Sequence, residues 1–233
     1  MIVSSKYTYS KAYILYCYVC HLYSVANTYL AKSVLFAESL INSDYHLTKE
    51  EITEELEVIK KCQKNPEHFA KIYIKYYDQI FLFVNKRVDN LDVTAELTSR
   101  IFLKCLKNIG KFKFMGVPFS AWLYKITINE VNLFFRNEAR FTRSVSIQSG
   151  HLDQLVSEID YSEPLIDPHV LIPVLLEQLN EDEIQFIELR FFENRSFKEI
   201  GYLLSTSEVN AKVKTYRILK KLKKLSENIK YEQ

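Results

Sequence analysis

The chain has 233 residues and a formal net charge of +2, with 48% hydrophobic and 26% charged residues. That apolar share excludes a chain disordered throughout, and the length allows one or two cores of ordinary size. Only four Gly and five Pro supply too few tight turns for an all-β sandwich or barrel, so long stretches at helical period predict an all-α protein.

In chain order, residues 1–48 stand apart as an N-terminal extension. The run AYILYCYVCHLYSVANTYLA, residues 12–31, is uncharged and flanked by Lys11 and Lys32, long enough to cross a bilayer. Its five Tyr, with His21, Ser24, Asn27 and Thr28, weaken the apolar drive, so a loosely packed extension, or sequence read from upstream of the true start, is preferred over a membrane anchor. Cys17-Tyr-Val-Cys20-His21 has the C-x-x-C-H spacing of haem attachment, but nothing downstream offers a second axial ligand, and we read it as chance. Cys17, Cys20, Cys62 and Cys105 are too scattered for a secreted disulfide framework, which points to a reduced cytoplasmic setting.

Regular patterning begins at Thr48, which with Glu51 predicts a capping box opening a helix to about residue 63. Pro66 sits early in a second, longer helix along which Phe69, Tyr73, Tyr76, Ile80 and Phe83 recur at helical spacing. A third helix spans about residues 92–108, with Gly110 as its stop. The loop GKFKFMGVP leads to a fourth helix, about residues 119–140. There Phe119, Trp122, Leu123, Ile126 and Leu133 form an apolar side and Lys125, Asn129, Asn132, Arg136 and Arg140 a polar one.

No Lys or Arg occurs in residues 144–189, whereas Asp153, Glu158, Asp160, Glu163 and Asp167 accumulate there. This predicts two small helical domains, residues 49–141 and 170–233, joined by an acidic linker at 142–169. Short helices are expected at about 173–179, 181–193, 196–204 and 207–226. Asn180 with Glu183, and Ser196 with Glu199, are set to cap two of them.

The last of these helices contains NAKVKTYRILKKLKKL, with seven cations and no acid. A short capped helix, a tight turn and a basic helix follow the plan of a helix-turn-helix. Ala211, Thr215, Ile218, Leu222 and Leu225 make one apolar stripe, and Val209, Val213, Tyr216 and Leu219 a rival one. The first buries fewer charges and is preferred. It leaves Lys212, Val213, Tyr216, Arg217, Lys220 and Lys224 outward, suited to a phosphate-lined groove.

SFKEIGYLLSTSEVNAKVKTYRILKKLKKL, preceded by LEQLNEDEIQFIELRFFENRS, resembles the promoter-recognising C-terminal domain of the extracytoplasmic-function sigma factors of bacterial RNA polymerase. The stretch from FAKIYIKYY through FSAWLYKITINEVNLFFR is similar to that family's N-terminal domain, so the resemblance covers about residues 67–225 in two ordered blocks. It implies contact with the −35 promoter element by Ser207, Asn210, Lys212, Val213, Tyr216, Arg217, Lys220 and Lys224. It implies contact with the −10 element by Lys113, Phe114, Met115, Lys125, Asn129, Asn132 and Arg136. Glu96, Ser99, Arg100 and Phe102 fall where the family docks on the β′ coiled coil, with Ser99 and Arg100 replacing the usual Gln and acid. Leu133 stands where an Asp is usual, and Ser205 where a Gly often permits the turn.

The family further implies core RNA polymerase (β′ coiled coil and β flap), promoter DNA and an anti-sigma factor as partners. It implies no enzymatic activity, cofactor, metal or small-molecule substrate. His21, His46, His68, His151 and His169 are dispersed and make no triad or metal set. The acidic linker is expected to thread a basic polymerase channel, or to fold back over the basic helix. Two rival functions remain: a stand-alone helix-turn-helix regulator, which would bind duplex DNA without polymerase, and a membrane-anchored signalling protein built on residues 12–31.

Overall fold

The computed structural model describes residues 48–138, 155–159 and 167–231. The candidate anchor at residues 12–31, the Cys17–His21 motif, Arg140 and nearly all of the acidic linker therefore lie outside the described residues. Every regular element among the described residues is helical.

Helix α1 (Lys49–Lys64) opens with the expected capping box: Thr48 Oγ1 accepts from the Glu51 N–H, and the Glu51 carboxylate accepts from the Thr48 N–H. Pro66 lies in a separate 3₁₀ turn, Pro66–His68, and α2 (Phe69–Val88) starts just after it. Helix α3 (Leu91–Asn108) is capped by Asn90 and runs into a second 3₁₀ turn, Ile109–Lys111. Gly110 sits inside that turn without a left-handed φ, so it is not the stop expected of it. Helix α4 (Phe119–Asn137) completes this body. The aromatic stripe of α2 is its centre: Tyr73 and Tyr77 meet Phe102 of α3, and Phe83 meets Tyr124 of α4 edge-on. Each such buried ring contributes roughly 1.5–3 kcal/mol. Cys62 and Cys105 are both buried and free, and burial pushes the Cys105 thiol well above its ordinary range.

Of the linker, residues 155–159 form a helical turn that buries Leu155 and Ile159. Helix α5 (Pro168–Leu176) starts earlier than Pro173 suggests and holds that proline inside it. The missing N–H costs one internal hydrogen bond, and burial of Leu171, Ile172, Leu175 and Leu176 offsets it. Helix α6 (Glu181–Ile187) has the expected Asn180–Glu183 capping box. Instead of continuing regularly to Glu193 it widens into a π-helical turn, Glu188–Phe192, closed by the Glu193 N–H on the Glu188 carbonyl at 2.9 Å. Helices α7 (Phe197–Leu203) and α8 (Glu208–Tyr231) follow, α7 carrying the predicted Ser196–Glu199 capping box.

Candidate nucleic-acid interface

The α7–turn–α8 unit is set by two backbone constraints. Ser205 adopts a left-handed φ of 55°, a conformation that costs a non-glycine residue about 1 kcal/mol or more. Gly201 of α7 lies directly against the turn: a Cβ there would stand 2.9 Å from the Thr206 carbonyl oxygen and 3.0 Å from the Glu208 nitrogen. The Thr206 N–H closes on the Gly201 carbonyl at 2.8 Å. Ser207 then starts α8 by accepting from the Asn210 N–H at 3.1 Å.

Helix α8 buries Ala211, Thr215, Ile218 and Leu222, the preferred stripe, with Leu225 packed against the core. Leu219 of the rival stripe is buried as well, while Val209, Val213 and Tyr216 stay exposed at 69%, 41% and 49%. Six of the seven cations divide by face. Lys214 lies 4.6 Å over the Phe186 ring, and Lys221 pairs with Glu183 at 2.7 Å, so both serve packing onto α6. Lys212, Arg217, Lys220 and Lys224 remain exposed with Ser207, Asn210, Val213 and Tyr216. Tyr216 rests against Phe197, whose other neighbour is the Arg190 guanidinium at 4.8 Å. The result is a cationic ridge with an aromatic centre, able to meet phosphates and present a few polar groups to base edges.

On the other body, Gln63 of α1 donates to the carbonyls of Ile109 and Phe112, at 3.0 and 3.1 Å, just ahead of the loop. Phe112 is fixed by contacts with Phe119 and Trp122. Beyond that anchor Lys113, Phe114 and Met115 are exposed, and Gly116 turns the chain with φ 75°. Asn129, Asn132 and Arg136 are exposed along α4. Lys125 is not free: its ammonium donates to the Tyr202 carbonyl (2.9 Å) and the Ser205 hydroxyl (3.1 Å), over the Tyr202 ring. A cleft of about 600 Å³ lies between Met115, Trp122 and Asn129 on one side and Tyr202 and Thr206 on the other. Trp122 combines two roles, packing on Phe112 and Phe119 while lining that cleft.

The expected polymerase-docking set is divided. Glu96 and Arg100 are exposed and paired at 2.6 Å, and the Ser99 hydroxyl donates back to the Ala95 carbonyl. Phe102 must be removed from that set: it is 2% exposed, held among Phe69, Tyr73 and Tyr77, and supports α3 from beneath. Leu103, 41% exposed and one helical turn beyond Ser99 and Arg100, extends the same outer face. Sequence reading missed Leu103, Gln63 and Gly201. Leu103 was recoverable from the i, i+3, i+7 spacing after Glu96, whereas Gln63 and Gly201 carry no local signal.

Known proteins resemble this chain in sequence. Residues 175–224 match the family model for sigma-70, region 4. The chain is 28% identical over 177 residues to the ECF RNA polymerase sigma factor BldN of Streptomyces coelicolor, an alignment covering 73% of this chain and 65% of that protein. It is 22% identical over 160 residues to the RNA polymerase sigma factor YlaC of Bacillus subtilis, covering 66% of this chain and 91% of the relative. Among solved structures, the RsbN–BldN complex matches with 23% identity and a TM-score of 0.30, covering 72% of this chain and 98% of that one. Residues 175–224 are a sigma-70 region 4 helix-turn-helix, and the chain is homologous to the ECF RNA polymerase sigma factors.

Proposed function

We propose that the protein is a dissociable initiation factor that directs RNA polymerase to promoters and performs no catalysis itself. The observation that carries this is the exposed cationic face of α8, within the region that matches sigma-70 region 4. On this reading Lys212, Lys220 and Lys224 neutralise phosphates of the −35 element, while Arg217 and Tyr216 reach base edges. The loop at Lys113, Phe114 and Met115, with Asn129, Asn132 and Arg136, takes the −10 element as a separated strand, an exposed aromatic and thioether offering surfaces for an unstacked base. Core polymerase docks on the α3 face of Glu96, Ser99, Arg100 and Leu103, and an anti-sigma factor competes for the protein when it is off polymerase. The bodies 49–141 and 170–233 act as separate units, with residues 142–169 between them.

The work takes place in the cytoplasm and needs no cofactor or small-molecule substrate. Among the described residues, no helix is long and apolar enough to cross a membrane. The test is run-off transcription with purified core polymerase, comparing the full chain with one beginning at Lys49. Promoter-dependent transcripts that require this protein are expected. Tight, sequence-specific duplex binding without polymerase, and no effect on start-site choice, would favour the stand-alone regulator instead.

A further inference from the structure

The outermost line of α8 is apolar. Val209, Val213 and Tyr216 stand at i, i+4 and i+7, 69%, 41% and 49% exposed, in a helix whose 210–225 stretch carries seven cations and no acid. At about 100° per residue, Val213 points almost directly away from the buried Ala211, Ile218 and Leu222. Lys212 lies on one side of the line and Arg217 on the other, both exposed. A single exposed valine needs no explanation, but an apolar line along the crest of a cationic ridge contributes nothing to the core on the opposite side.

The charges beside the line fit one occupant, duplex DNA, and repel a second copy of the same helix. In the major groove the C5-methyl of thymine is the one apolar group that a base edge presents, the others being hydrogen-bond donors and acceptors. A valine set against one of those polar groups would strip it of water without offering a partner, which is unfavourable. Set against a methyl, the same valine buries apolar surface on both sides. Asn210 and Arg217, which line the same cleft as Val213, are the polar neighbours that hydrogen-bond the bases around it.

Resting on the promoter reading above and extending it, we propose that Val213, with Val209 one helical turn before it, reads pyrimidine C5-methyl groups in the −35 duplex. The two valines are about 6 Å apart along the helix axis, so the methyls they meet lie about one or two base pairs apart. Valine has no hydrogen-bonding atom, so it responds to the methyl on C5 and not to the group on C4. 5-Methylcytosine therefore serves it as thymine does, and methylation of a cytosine at that position becomes an input that strengthens binding. Lys212, Lys220 and Lys224, facing phosphates, take no part in this choice.

The test uses the full chain, with and without core polymerase, on a −35 duplex selected from a random pool. Each thymine is replaced in turn by uracil, which removes the methyl and nothing else. At one or two positions the affinity should fall about fourfold per methyl. At the same positions 5-methylcytosine should bind about fourfold more tightly than cytosine. Val213→Ala should bring both ratios close to one at one position, and Val209→Ala at the other. Lys220→Ala should weaken every duplex and leave the ratios as they are. Both valines face solvent, so these variants keep the fold, and an unchanged melting temperature verifies it. Equal affinity for thymine and uracil at every position overturns the methyl readout in favour of a protein occupant for the line. Ratios that survive Val213→Ala overturn the assignment to that residue. Methyl-dependent binding that is tight without polymerase, with no effect on start-site choice, would instead overturn the initiation-factor reading while the methyl readout stands.

Discussion

Replacing Gly201 by Ala tests how tightly the helix-turn-helix is built. The new Cβ would sit 2.9 Å from one backbone atom and 3.0 Å from another, against ordinary contacts of about 3.5 Å or more. Neither atom can rotate away, because both belong to the turn and to the first residue of α8. The helix must shift by about half an ångström, and overpacking of this kind costs about 1–3 kcal/mol. Alanine returns up to about 1 kcal/mol by its better helix propensity. A net loss of about 1–2 kcal/mol remains, or a fall in melting temperature of roughly 3–6 °C for a unit of this size. Gly110 is the control, since a Cβ there meets nothing within 4 Å and φ is not left-handed. Gly110→Ala should leave the melting temperature unchanged or raise it. Far-UV circular dichroism on heating reads both, and −35 duplex binding should weaken only for Gly201→Ala. If the two variants shift in the same direction, the close approach of α7 to the turn is not what fixes α8.

Gln63→Leu keeps the side-chain volume but leaves the Phe112 carbonyl without the Gln63 donor, and the Ile109 carbonyl with the Phe112 N–H in place of two donors, at a cost of about 1–3 kcal/mol. Strand opening at the −10 element, followed by permanganate reactivity, should fall while −35 binding is unchanged. Arg217→Ala should weaken particular −35 sequences by about 1–3 kcal/mol. Lys220→Ala should instead weaken all sequences alike and lower the salt dependence by about one unit of slope; identical behaviour across promoters would refute the division into base and phosphate contacts. Glu183 is held below its ordinary pKa of 4.5 by hydrogen bonds from Lys221 and from the Asn180 backbone. Its contribution is therefore fully present above about pH 4.5 and disappears as pH falls through the lower folded value. Glu183→Ala should cost about 1 kcal/mol at neutral pH and much less in acid, as urea unfolding at several pH values would reveal.

The mechanism proposed here divides labour between rigid and adjustable parts. Capping boxes at Thr48, Asn180 and Ser196 fix where helices start, and Gln63 fixes the loop bearing Phe114 and Met115. Where the α2 and α4 helices meet the C-terminal helices, the Arg87–Glu188 pair and the Lys125–Tyr202 hydrogen bond lie beside a continuous apolar core.

Local physics was legible in the sequence. The all-helical fold, the three capping boxes, the α2 stripe and the inward side of α8 depend on residues three or four positions apart, and such spacings are visible in one dimension. Motif order likewise carried the helix-turn-helix and the likeness to sigma factors. Tertiary structure alone decided that Phe102 is core, that Lys214 and Lys221 serve α6, that Gln63 holds a loop more than forty residues away, and that Arg87 meets Glu188. Periodicity tells which side of a helix avoids water, but not which distant charge stands opposite it. A charged residue looks the same in the sequence whether its partner is a phosphate, water or another helix of its own chain.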